Sequence, residues 1–152
     1  MLTEILEGIN TFKVEKIFLL FAIIFGFLSI FVTPAFQVPD EYAHFSRSYQ
    51  VSELNISHSP DDIPTAVSDV INLNRNIPFN KNVKVNIQEV INAKKIAIVD
   101  NAREKSFLTI DVFVPYFPQA VGIKISRLFS NSPLVHMYWG RVLNLLMYIL
   151  VS

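Results

Sequence analysis

The stretch IFLLFAIIFGFLSIFVTPAF, residues 17–36, carries no charged side chain. Its length matches the roughly 20 residues that an α-helix needs to cross the hydrocarbon core of a bilayer. A helix that is apolar on every side belongs either in a large core or in lipid. We read 17–37 as a transmembrane helix. A cleaved signal peptide is the main rival, with Lys13 and Lys16 as its charged region and Ala35 as the small residue at the cut. The apolar run is long for that role, and Pro34 sits awkwardly beside such a cut.

Composition points to the membrane as well. Of 152 residues, 51% are hydrophobic and only 17% are charged, against about a quarter charged in ordinary soluble domains. Lys+Arg and Asp+Glu balance at 13 each, so no net field recruits nucleic acid, and we expect no nucleic-acid partner. Cysteine is absent, which removes disulfides, thiolate metal sites and thiol nucleophiles.

Outward from the apolar run, residues 1–16 place Leu2, Ile5, Leu6, Ile9 and Phe12 at helical spacing. This segment reads as cytoplasmic or interfacial, either lying on the membrane or packing on the rest of the protein. Lys13 and Lys16 favour a cytoplasmic N-terminus, so residues after about 38 would face outside. Residues 38–132 are too polar to span and too many for an ordinary connection, and are expected to form an extracytoplasmic α+β domain. Asp61, Asp62 and Pro64 supply helix-start chemistry ahead of Val67, Val70 and Ile71. Val83, Val85 and Ile87 alternate with polar residues, as do Leu108, Ile110, Val112 and Val114, which predicts strands. Residues 72–82, NLNRNIPFNKN, read as an Asn-rich loop.

Helical character returns near the end. Juxtamembrane helices are expected near 39–51 and 117–129, the second opened by Pro118 and broken by SNSP at 130–133. Gly122, Ser126 and Ser130 form a line of small residues that permits close approach of another helix, for which we expect no partner within the chain. Tyr116, Tyr138 and Trp139 suit the boundary between water and lipid. A second apolar helix starts near Leu134. It carries Arg141 early and keeps only about half a spanning length of uncharged sequence beyond it. We therefore expect 133–152 to be an incomplete transmembrane helix, and the chain to be a fragment that is inactive alone.

Chemistry concentrates just after the first helix, in TPAFQVPDEYAHFSRSYQ, residues 33–50. If it is helical, Asp40, His44 and Arg47 fall at i, i+4 and i+7 and share a face, with Glu41 at its edge. Tyr42, Phe45 and Tyr49 then form another face that could rest on the membrane. A plainer reading has the acids serving the helix dipole, with His44 and Arg47 pairing with them.

FQVPDEYAHFSRSYQ, together with PYFPQAVGIKISRLF and SPLVHMYWGRVLNLLMY, resembles the N-terminal part of a bacterial multipass membrane family, domain of unknown function 2142. That family in turn resembles the GT-C superfamily of integral-membrane glycosyltransferases. The resemblance covers the exit of the first helix and the last third of the chain; the Asn-rich middle shows no matching pattern. It implies a mainly α-helical, GT-C-like multipass fold in the bacterial cytoplasmic membrane, membrane lipid as a partner and a polyprenyl-phosphate sugar as donor. It also implies an acidic residue in the first extracytoplasmic loop, where Asp40 and Glu41 stand as candidate catalytic residues.

Such a transfer needs a base for the acceptor hydroxyl, and an ordinary carboxylate with pKa ~4 is ionised at neutral pH. The leaving group is a phosphate, so no strong general acid is required, unlike in glycoside hydrolysis. The phosphate still calls for positive charge, and the candidates are His44, Arg47, Lys124, Arg127 and Arg141. Arg141 lies within an apolar helix, where a charge is functional by default, although it could also snorkel to the interface. Asp40, Glu41 and His44 could hold a divalent cation, Mg or Mn. A noncatalytic binding loop and a lipid or solute transporter component are the alternatives.

Overall fold

The computed structural model describes residues 14–56, 62–74, 80–99, 102–105 and 112–152. In chain order these form α1 (Val14–Val32), α2 (Glu41–Ser52), β1 (Asp62–Pro64), α3 (Thr65–Asn74), α4 (Ile87–Ala93), β2 (Arg103–Lys105), a 3-10 turn (Val114–Tyr116), α5 (Phe117–Ser126) and α6 (Pro133–Val151). The stripe at Leu2–Phe12 lies outside the described residues, as do Asp61, Leu108, Ile110 and the centre of the Asn-rich loop.

The uncharged run forms most of α1, and only Ile30 of that helix is buried. The helix closes as Thr33 N donates to Ser29 O at 3.1 Å, just before Pro34, which cannot donate to the ladder. Pro133 opens α6, where its missing N–H costs nothing. Both helices have 19 residues and are long and apolar enough to cross a membrane by length and composition. In α6 this length includes the turns before Arg141 as well as the uncharged part beyond it. The two run antiparallel: Phe31 stacks on Tyr138 at 6.2 Å, and Phe18 meets Tyr148 at 6.4 Å. Between these contacts, Gly26 leaves room for the Leu145 side chain.

The polar middle packs around α2. Phe45 and Tyr49 join Phe36, Ile63, Val67, Val70, Ile71, Ile123 and Met137 in one core. This corrects the expectation that the aromatic face of α2 rests on the membrane. Periodicity identifies the apolar side of a helix but not its cover, and here the apolar residues of α3, α5 and α6 supply it.

The strand expectations also change. Val83 and Val85 lie in irregular chain, and Ile87 opens α4 behind Asn86, whose side chain accepts from Gln88 N at 2.9 Å. The local cap prevails over the alternation. Val112 is outside any regular element, and Val114 starts the 3-10 turn. The sheet forms elsewhere, as β1 pairs antiparallel with β2, Ile63 opposite Glu104. Pro64 ends β1 directly before α3, whose Val67, Val70 and Ile71 are buried as the helix-start reading requires.

The small-residue line has its partner within the chain, contrary to expectation. A Cβ on Gly122 would collide with the backbone carbonyl of Trp139, so α5 and α6 touch backbone to backbone. One turn on, Ser126 Oγ is 2.8 Å from His136 Nδ1.

Candidate functional site

The chain turns sharply between α1 and α2. Phe36 and Asp40 both adopt φ 61°, a left-handed conformation that costs energy in any residue with a Cβ. Asp40 is the N-cap residue of α2: its carbonyl accepts from Ala43 N at 3.0 Å and from His44 N at 3.1 Å. Its carboxylate makes no capping bond, is exposed, and has no partner among the described residues.

Glu41, one residue on, is fully engaged. Its Oε2 accepts from Phe36 N at 2.8 Å and from Arg141 Nη2 at 2.8 Å, and its Oε1 accepts from Arg141 Nε at 2.8 Å. Arg141 also donates Nη1 to Ile30 O at 3.0 Å and to Thr33 O at 2.6 Å, and Nη2 to Pro34 O at 3.1 Å. The last carbonyls of a helix lack partners and carry its negative dipole end, so a guanidinium fork is well matched there. The two side chains are only 12% and 15% exposed, which keeps the pair largely out of water. Arg141 thus neither waits as a free charge nor snorkels: it fastens α6 to the exit of α1 and to the start of α2.

The other candidate cations lie apart. Arg47 is 3% exposed, and it donates to Gln50 Oε1 and to the carbonyls of Asn55, Ile56 and Val112 at 3.2–3.4 Å. It ties the end of α2 to the chain before the 3-10 turn. Arg127 lies over the Tyr49 ring at 4.4 Å and 3.5 Å from Glu53, which also pairs with Arg103 at 2.7 Å. Burial pushes the Tyr49 hydroxyl pKa up, while Arg127 pulls it back. Lys124 is exposed in the last turn of α5. Asp40, Glu41 and His44 do not converge: among the described residues no three His, Cys, Asp or Glu side chains could hold a metal ion. Glu41 is already occupied by Arg141, so the trio does not fit a divalent cation.

What the fold does assemble is a cleft of about 350 Å³ between α2, the 3-10 turn, α5 and α6, with Glu41, His44, Tyr116, Gln119, Arg141 and Asn144 in its lining. His44 Nδ1 lies 2.9 Å from Tyr116 Oη, and the two rings stack at 5.7 Å. Burial pushes the Tyr116 pKa up, against the opposing pull of Arg47, so the hydroxyl stays protonated. The Gln119 side-chain amide lies 2.9 Å from Ser48 Oγ, which is also 2.8 Å from His44 O. Gly140 makes room for this side chain, since a Cβ there would lie 2.6 Å from Gln119 Cγ. Asp40 sits between two lining residues, Pro39 and Glu41.

Gln119 and Asn144 are not among the candidates that the sequence offers, and Tyr116 reads there only as an interfacial aromatic. Asn144 did carry a signal, being an amide three residues after Arg141 and so on the same face of an otherwise apolar helix. Gln119 carried none; its place depends on Ser48, 71 residues away in sequence.

The family model described as Predicted membrane protein (DUF2142) matches residues 21–152. No curated protein and no solved structure matches the chain.

Proposed function

Because the chain belongs to the DUF2142 family of predicted membrane proteins, we propose that it serves an integral-membrane glycosyl transfer of the GT-C kind. The donor is a polyprenyl-phosphate sugar, and the α1–α2 turn faces outside the bacterial cytoplasmic membrane. The observation that carries this reading is the contrast between the two acids of the turn. Glu41 is held by Arg141, whereas Asp40 is exposed, unpartnered among the described residues and kept in a strained conformation. Backbone strain persists where the surrounding fold enforces it, and it clusters at working sites.

Asp40 takes the proton of the acceptor hydroxyl as its oxygen bonds to the anomeric carbon. The bond from that carbon to the phosphate oxygen breaks, and its electron pair leaves on the phosphate. Glu41 is a positioning residue: by fixing Arg141 and the Phe36 amide it sets the turn that presents Asp40. Arg47 and Arg141 are committed to protein acceptors and serve the fold.

The test uses membranes containing a longer family protein that includes this chain, and a panel of radiolabelled polyprenyl-phosphate hexoses. Asp40→Asn is expected to lower transfer by about 100-fold or more with an unchanged amount of folded protein. Glu41→Gln leaves Arg141 half-paired in a largely dry site, so it is expected to lower the amount of folded protein first. Near-normal transfer by Asp40→Asn would remove the catalytic role and leave a noncatalytic binding loop.

A further inference from the structure

We propose that the cleft between α2, α5 and α6 is a subsite for a neutral polyhydroxylated ring, a hexose unit and not its phosphate. The inference rests on the glycosyl-transfer reading and names which part of a substrate this cleft receives.

Charge decides against the phosphate. Among the described residues of the lining, Arg141 is the one permanently charged cation, and a guanidinium has five N–H donors. All five are used: one from Nε to Glu41, two from Nη1 to Ile30 and Thr33, and two from Nη2 to Pro34 and Glu41. Glu41 cancels its charge at 2.7 Å. An anion entering the cleft meets no spare guanidinium donor and stands beside a carboxylate.

Hydrogen-bonding capacity favours the sugar. Gln119 spends one end of its amide on Ser48 Oγ, and the other end has no partner among the described residues. The Asn144 side chain is exposed in the lining and is likewise unpartnered among them. Tyr116 adds a hydroxyl that is both donor and acceptor. Amides and a phenol match sugar hydroxyls, which also donate and accept. Val38, Pro39 and Pro115 complete the lining with apolar surface for the C–H faces of a ring. The volume of about 350 Å³ lies within the range of small-molecule sites.

The experiment measures ligand-observed NMR on the full chain in detergent micelles, with methyl hexopyranosides and inorganic phosphate as separate probes. A methyl hexoside is expected to bind and inorganic phosphate not to compete. Asn144→Ala is expected to weaken hexoside binding by about tenfold, the scale of one lost hydrogen bond. Gly140→Ala, which displaces Gln119, provides a second and independent reduction. Asp40→Asn, which loses transfer, keeps hexoside binding within about twofold. Hexoside binding that ignores both Asn144→Ala and Gly140→Ala overturns the subsite, as does phosphate binding in its place. The two readings fail separately: transfer retained by Asp40→Asn removes the base, whereas binding insensitive to both Asn144→Ala and Gly140→Ala removes the subsite.

Discussion

At the scale of single residues, Asp40 trades backbone comfort for exposure. Its φ of 61° suits glycine, and its carboxylate repays nothing by capping α2. Asp40→Gly is therefore expected to hold or raise stability, by up to about 1 kcal/mol, while removing transfer; thermal unfolding in micelles beside a transfer assay checks both. Tyr49 gives a pH signature. Its pKa in the folded protein lies above the ordinary value of 10.0, chiefly through burial. The unfolded chain therefore ionises this phenol first. The corresponding stability is fully present below pH 10 and is lost as pH rises through the folded-state value. Unfolding midpoints between pH 9 and about 11 should fall with pH, and Tyr49→Phe should flatten that fall.

At the scale of elements, α5 and α6 meet backbone to backbone because Gly122 offers no Cβ to the Trp139 carbonyl. The contact also shapes the cleft, since Gln119 and Asn144 reach it from these two helices. Gly122→Ala puts a methyl group against backbone, which cannot swing aside as a side chain can. Overpacking of this kind costs about 1–3 kcal/mol. We expect a lower unfolding midpoint together with weaker hexoside binding, measured on the same preparation. An equal midpoint would mean that the two helices separate at little cost.

At the scale of the whole molecule, α1 and α6 stand side by side and the rest of the described chain gathers at the exit of α1. The Glu41–Arg141 pair joins three elements there. The orientation proposed from Lys13 and Lys16 can be read directly, because the chain has no cysteine of its own. Lys81→Cys places one exposed thiol in the turn before α4. An impermeant thiol reagent is expected to label it in intact cells. Labelling only after permeabilisation would reverse the orientation.

The sequence by itself determined what depends on local order: the uncharged run of α1, the helix opening at Pro118 and the break at 130–133, the polar middle, and the acids just beyond α1. These follow from composition, periodicity and proline chemistry within a few residues. Only the tertiary structure decided which acid is free. Asp40 and Glu41 are adjacent and chemically alike, and it is Glu41 that Arg141, 100 residues away, holds. It likewise decided that Arg47 is buried, that the aromatic face of α2 lies against protein, and that Gln119 and Asn144 share a cleft. A helix pattern states which side is apolar or polar, but the partner that covers it comes from a distant segment, whose approach depends on packing the whole chain.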